Sequence, residues 1–340
     1  MRRLIPTIAC FALAACSSDP GAVGRTPDAT LDTSPGDSGG ALDASSHSAN
    51  DASADVDVGD ARLGDTGAAA DVGEADADQP DATSRVDLSP CDVGDFLITC
   101  PRETTSLLTG TTGLDLRDVH WQNPRGAPPA DGWPVAVLFQ GSLFSPEYGW
   151  GAVAGSPFGA YYQAEVIHEL LDVGFAVLTP EARFGGATFW DTNVPPWSVS
   201  WDLSGDHQFM LDLFDELDAG TFGPVDTRRM YATGISSGGY MSSRMADAYP
   251  GRFRALAIQS ASYAWCSGPA CTIPTLPEDH PPTLFLHGAL DLTVPLFTMD
   301  LYHDELVDEG VEVRRVVDPN MGHEWIPVAP DEVAEWFLSH

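Results

Sequence analysis

The sequence predicts an α/β fold in which helices and a mostly parallel sheet form three layers. Three observations point there. Short continuous apolar runs such as Trp133 to Phe139, bounded by Gly132 and Gly141, read as strands buried on both faces. They alternate with stretches whose apolar residues recur at helical spacing, Ala160 to Asp172 being the first. The alternation runs through residues 91–340, a length that suits one layered domain.

Taken in order, Leu114 to Trp121 reads as an early antiparallel strand and Trp133 to Phe139 as a buried one. The helix Ala160 to Asp172 stops before Gly174, and Phe175 to Thr179 returns to the sheet. Gly205 to Leu217 is a second helix with Asp and Glu on its outer face. Arg229 to Ile235 is a strand, Ser237 to Ala248 a helix, and Phe253 to Gln259 and Thr283 to Leu286 are strands. Leu296 to Glu309 is a helix, Val311 to Val317 a strand and Pro330 to Leu338 a closing helix. Strands separated by helices pair in parallel, because only a crossover returns the chain in the same direction.

Residues 1–15 read as an export signal: Met1-Arg2-Arg3 precedes an apolar run from Leu4 to Ala15 that is too short to span a bilayer. Its end, Leu13-Ala14-Ala15-Cys16, resembles the bacterial lipoprotein processing box, in which the cysteine is diacylated and becomes the mature N-terminus. Two acyl chains anchor stably where one is marginal. The expectation is an exported protein, lipid-anchored through Cys16 to the bacterial cell envelope, at the outer membrane or cell surface. An ordinary signal peptide is the alternative.

Residues 16–90 are rich in Ala, Asp, Gly, Ser and Thr with few large apolar side chains, and such a segment cannot offset its chain entropy by burial. They predict a disordered acidic tether; residues 17–90 hold 16 acidic and 3 basic side chains, a net of -13. No calcium-loop spacing organises these aspartates. The whole chain carries a formal charge of -34, which excludes nucleic acid and anionic lipid surfaces as electrostatic partners.

Of six cysteines, Cys10 lies in the signal and Cys16 is the lipidation candidate. Cys91, Cys100, Cys266 and Cys271 remain, and an exported domain oxidises them. Short separation favours Cys91 with Cys100 and Cys266 with Cys271, with the two other connectivities open. Neither pair has the spacing of a structural zinc site and no histidine pair lies nearby, so no metal is assigned.

The chemistry is concentrated in three places. Gly234-Ile235-Ser236-Ser237-Gly238 closes a strand and leads directly into a helix, the setting in which Gly-x-Ser-x-Gly presents a strained nucleophilic serine. Ser237 is a poor rival, since Ile235 stands two residues before it. A serine hydroxyl needs a base held in the right tautomer by an acid. Asp291, after the strand Thr283 to Leu286, and His323, after Val311 to Val317, follow in the order serine, acid, histidine. Asp300 and Asp304 fall on the next helix and read as its solvated face. Two backbone N–H groups are needed for the oxyanion, and the candidates are those of Ser237 and of Ser142 in Gln140-Gly141-Ser142.

Thr233 to Met241 around the serine, His287-Gly288 with Asp291 and Val294-Pro295, and Gly322-His323 with Trp325 together resemble the poly(3-hydroxybutyrate) depolymerase and feruloyl esterase group. The segment from Pro224 through Tyr231 is similar to that group as well. The resemblance implies an α/β-hydrolase fold and a secreted carboxylic-ester hydrolase that works through an acyl-enzyme without metal or organic cofactor. Depolymerase-like and feruloyl or acetyl xylan esterase-like activities are all compatible with it. Gln140 stands where the group usually has histidine, and Ile326 separates Trp325 from Pro327. A peptidase of the same fold and a catalytically silent binding protein are the other classes; an intact triad speaks against the second.

Between Thr179 and Gly205, Phe184, Phe189, Trp190, Trp197 and Trp201 crowd among glycines and prolines. Trp190, Trp197 and Phe189 are the candidate substrate-binding residues, gripping a polyester or a phenolic acyl group. The competing reading is a satellite core under a long loop, with specificity then sought around Leu143, Phe144 and Tyr148.

Overall fold

The computed structural model describes residues 87–110, 113–266 and 271–340. The export signal, Cys16 and nearly all of the acidic tether lie outside the described residues.

The chain enters through two short strands, β1 (Asp92–Val93) and β2 (Leu97–Thr99), stapled by the Cys91–Cys100 disulfide. Next come β3 (Glu103–Thr109), β4 (Asp115–Gln122), β5 (Trp133–Phe139) and β6 (Gly151–Val153). Helix α1 (Ala160–Asp172) leads to β7 (Ala176–Pro180), α2 (Gly205–Asp218) to β8 (Val225–Ile235), and α3 (Ser237–Ala248) to β9 (Phe253–Gln259). β10 (Thr283–Gly288), α4 (Leu296–Asp308), β11 (Val313–Asp318) and α5 (Ala329–Ser339) complete it. A second disulfide joins Cys266 to Cys271. Both disulfides are the short-range pairings favoured by the sequence.

Eight strands form one sheet in the order β11-β10-β9-β8-β5-β7-β4-β3. Every pairing from β11 to β7 is parallel, and β4 joins β7 and β3 antiparallel. Alternate side chains of β5 go to opposite faces, as the pleat requires. Val135, Val137 and Phe139 meet Phe209 and Leu213 of α2 and Met241 and Met245 of α3, while Ala136 and Leu138 meet Ile167 and Leu170 of α1 and Val333 and Phe337 of α5. This is the expected three-layer α/β architecture. Its all-buried strand explains why an unbroken apolar run was the right signal.

The strands that escape the periodicity argument are the short β1, β2 and β6 and the edge strand β3, Glu-Thr-Thr-Ser-Leu-Leu-Thr. β3 lies at the sheet margin with its outward side chains in water, so no apolar run marks it. β8 begins at Val225, earlier than Arg229, because Asp226 binds Arg228 and Arg229 across a register shift and breaks the apolar pattern.

One buried histidine sets an acid limit on this core. His280 Nδ1 donates to Pro281 O at 2.8 Å, so Nε2 is left to accept from the Tyr302 hydroxyl at 2.6 Å. Burial pushes its pKa down from 6.5 to about 4, against the smaller opposing effect of the Pro281 carbonyl. The folded state therefore binds fewer protons than the unfolded chain between those values, and stability falls as pH drops through that window. The expected loss is about 3 kcal/mol. Thermal melts from pH 7 to pH 4 check it: His280→Gln should flatten that part of the profile.

Candidate active site

β8 runs into α3 through a turn that only small residues allow. A Cβ on Gly234 would lie 2.6 Å from Phe139 O, and one on Gly238 would collide with Phe139 O and Gln140 O. The turn is therefore pressed against the end of β5. Ser236 at its apex has φ 56° and ψ −123°, a left-handed conformation that costs a β-carbon residue of order 1–3 kcal/mol. Its N–H donates to Gln259 O at 3.0 Å. Ser237 is buried and its hydroxyl accepts the Trp190 backbone N–H at 2.9 Å, so it is committed to structure.

Asp291 sits beyond β10. Its Oδ1 accepts the N–H groups of Thr293 and Val294, each at 2.8 Å, and its Oδ2 accepts His323 Nδ1–H at 2.7 Å. His287 Nε2 lies 2.9 Å from Val294 O and 3.4 Å from Asp291 Oδ2; facing two acceptors, it carries a proton. Burial opposes ionisation of Asp291, yet the hydrogen bonds from His287, His323 and the Val294 N–H outweigh it and hold the carboxyl well below the usual range. With its Nδ1 proton given to Asp291, His323 keeps a lone pair on Nε2. Gly288 lets the two loops meet, since a Cβ there would strike Met321 O and Gly322 O.

Gln259 at the end of β9 ties the pieces together, and the sequence reading missed it. Its carbonyl holds Ser236 N–H; its Nε2 donates to Glu324 O at 2.8 Å and its Oε1 accepts Ile326 N–H at 3.4 Å. A polar side chain closing an apolar strand, beside the serine strand, was the available signal.

At the end of β5, Gly141 lies against the turn: a Cβ added to it would be 3.8 Å from Ser236 Cβ. Ser142 N–H donates to no described residue, while Leu143, at φ 65°, donates its N–H to Thr188 O. Ser237 N–H heads α3, where first-turn N–H groups lack intrahelical partners. Ser237 follows the serine directly, and Ser142 follows Gly141 at the end of β5. Gln140 is a brace: Nε2 donates to Gly186 O at 2.7 Å and to Phe144 O, and Oε1 accepts Ala182 N–H at 3.1 Å.

The aromatic loop requires a correction. Trp190 is fully buried, edge-on to Phe139 with centroids 5.2 Å apart, and its Nε1–H donates to Gln140 O at 3.1 Å. It packs behind the end of β5 and offers no face to a substrate. Trp201 is buried too, beside the Arg244 guanidinium, which also binds Thr192 and Ser198 O. Arg117 pairs with Asp206, and Asp206 accepts Asp191 N–H, fixing the loop to α2. Trp197 is half-buried and Phe189 exposed. The rings gathered at His323 are others: Phe158 lies 6.5 Å away edge-on, Phe144 packs on Phe158 at 4.8 Å and Tyr148 on Phe144 at 6.0 Å. Phe144 and Tyr148 belong to the alternative specificity region named from sequence; Phe158, at φ 58°, was not foreseen because nothing in its spacing marks it.

A left-handed serine at a strand-to-helix turn, on a mostly parallel sheet covered on both faces, defines the α/β-hydrolase class. Over 244 residues the chain is 47% identical to a poly(3-hydroxyoctanoate) depolymerase of Pseudomonas fluorescens, covering 72% of this chain and 86% of that protein. The chain belongs to the same family as that depolymerase and is a carboxylic-ester hydrolase. No family model matches it. Among solved structures, a candidate dipeptidyl aminopeptidase IV of Bacteroides ovatus is similar in fold, with TM-score 0.50 and 16% identity over 73% of this chain. This chain spans 36% of that longer one. An acetyl xylan esterase from Paenibacillus sp. R4 superposes with TM-score 0.48 and 16% identity, covering 71% of this chain and 89% of the esterase.

Proposed function

We propose that the chain hydrolyses the ester bonds of a poly(3-hydroxyalkanoate), the class of polymer for which its Pseudomonas fluorescens relative is named, through an acyl-enzyme on Ser236. The observation that carries this reading is the strained Ser236 turn lying beside Gly141, together with the 2.7 Å Asp291–His323 hydrogen bond. His323 Nε2 takes the Ser236 proton as Oγ attacks the ester carbonyl carbon. The oxyanion is met by the N–H groups of Ser142 and Ser237. Collapse breaks the carbonyl–alkoxy bond and the leaving alcohol takes the proton from His323. Water then repeats the sequence on the acyl-enzyme and frees the acid. Asp291 remains ionised throughout and stabilises the imidazolium. Phe189 and Trp197 stay as candidate outer contacts for a polymer chain.

An alkyl fluorophosphonate followed by peptide mass spectrometry tests the nucleophile. Label is expected on Ser236; label on Ser237 or on another residue overturns the assignment. Release of hydroxyacids from suspended poly(3-hydroxyoctanoate), compared with feruloyl and acetyl xylan esters, tests the substrate.

Export and anchoring through diacylated Cys16, with residues 16–90 as spacer, complete the proposal; a polymer too large to enter the cell requires an enzyme outside it. Cys16→Ser should move the protein from the membrane fraction to the soluble one, because no other anchor is assigned. Retention in the membrane fraction would show that the attachment lies elsewhere.

A further inference from the structure

His287 is a fully buried imidazole that no step of the proposed reaction uses. It is the penultimate residue of β10, and the strand residues before it, Leu284, Phe285 and Leu286, are buried and apolar. Its Nε2–H donates to Val294 O at 2.9 Å, and its second, longer contact is Asp291 Oδ2 at 3.4 Å. Nδ1 is buried and has no hydrogen-bond partner among the described residues. A second proton there would leave a cation buried with one N–H unpaired, so the ring acts as a one-proton donor. An unpaired buried nitrogen is costly, and an apolar residue like its strand neighbours would avoid the cost. What recommends histidine at this place is what Nε2 touches.

Both contacts belong to the turn that carries the acid. The N–H groups of Thr293 and Val294 hold Asp291 Oδ1 while His287 holds Val294 O, so the turn from Asp291 to Val294 is fixed from two sides. Oδ2 faces two imidazoles, His323 at 2.7 Å and His287 at 3.4 Å. We propose that His287 is a positioning residue of this hydrolase: its N–H fixes the Asp291 turn and offsets part of the charge that Oδ2 presents to His323. The inference rests on Asp291 and His323 as acid and base of the proposed function and deepens it. Without that N–H, Oδ2 attracts the His323 imidazolium more strongly, the base stays protonated to higher pH, and the acid limb of kcat/KM moves up. The other titratable groups at the pair are Tyr240 from α3, whose hydroxyl is pushed up by burial and by the charge of Asp291, and Glu324 on the histidine's own loop, whose Oε1 accepts Gly322 N–H at 3.3 Å. Both are common to all the variants compared.

The test follows kcat/KM for p-nitrophenyl butyrate against pH in the full chain. His287→Leu removes both contacts, and His287→Gln returns an amide N–H near the place of Nε2. The acid limb should lie about half a pH unit higher in His287→Leu and return to the parent's position in His287→Gln. On the plateau, kcat of His287→Leu should fall about tenfold with KM changed by about twofold or less. Should leucine prevent folding, His287→Asn, whose shorter amide does not reach the place of Nε2, takes its part in the comparison. A lower melting temperature with an unmoved limb assigns the ring to packing and overturns the proposal, as does a limb that moves equally in the glutamine variant. Asp291→Asn is measured alongside. If it keeps full activity, the acid–base reading and the role of His287 fall together, whereas an inactive Asp291→Asn with an unmoved limb in His287→Leu removes His287 alone.

Discussion

Ser236→Ala is expected to lower kcat on every ester by about 10⁴- to 10⁶-fold, leaving only what the oxyanion donors and binding contribute. The loss is chemical, because the hydroxyl makes no hydrogen bond to a described residue and the backbone turn is held by the Gln259 carbonyl and the close approach of Gly234 and Gly238 to β5. Alanine keeps the β-carbon and with it the strain at φ 56°. Ser236→Gly removes that strain, and should melt above Ser236→Ala by an amount equivalent to about 1 kcal/mol or more. Both variants should be equally inactive. Steady-state kinetics on p-nitrophenyl esters and thermal melts check the pair; residual activity within about tenfold of the parent would rule out Ser236 as nucleophile.

Asp291→Asn is expected to cost about 10⁴-fold in kcat with a much smaller change in KM. The carboxylate is acceptor-only and all four of its contacts are donors: two backbone N–H groups on Oδ1, His323 Nδ1 and His287 Nε2 on Oδ2. An asparagine that keeps its oxygen toward Thr293 and Val294 turns its NH₂ on His323. The imidazole then has to present a bare Nδ1 and carry its proton on Nε2, the nitrogen that faces the serine's task, so it cannot act as base. The opposite amide orientation sets NH₂ against two backbone donors and loosens the loop. Nuclear magnetic resonance of the imidazole nitrogens separates these outcomes from general unfolding: the Nδ1-protonated signal should disappear while the fold's dispersion remains. Survival of that signal with full activity would remove Asp291 from the mechanism.

How much of this was legible in advance depended on which forces are local. The strand Trp133 to Phe139 and the helices Ala160 to Asp172 and Ser237 to Ala248 were read to the residue, because each lies in the sheet interior or on a face with one clear apolar stripe and is bounded by turn residues. β3 and β1 were not, since edge strands owe their place to backbone pairing and carry mixed polarity. The loop containing Trp190 was misread for a related reason. Aromatic density in a sequence measures how much ring area needs a partner and does not say whether that partner is protein or substrate. Arg117 and Arg244, far away in the chain, decide it by clamping the loop inward.

From the sequence alone came the three-layer class, the serine on its strand-to-helix turn, and the places of Asp291 and His323 beyond strand ends, because turn sterics and strand-end positions are written in neighbouring residues. Tertiary structure alone decided which aromatics stand at His323 and that Gln259 couples the Ser236 turn to the His323 loop. These depend on contacts between segments tens to more than a hundred residues apart, formed only when the sheet brings its strand ends to one edge, and no local pattern encodes such a meeting.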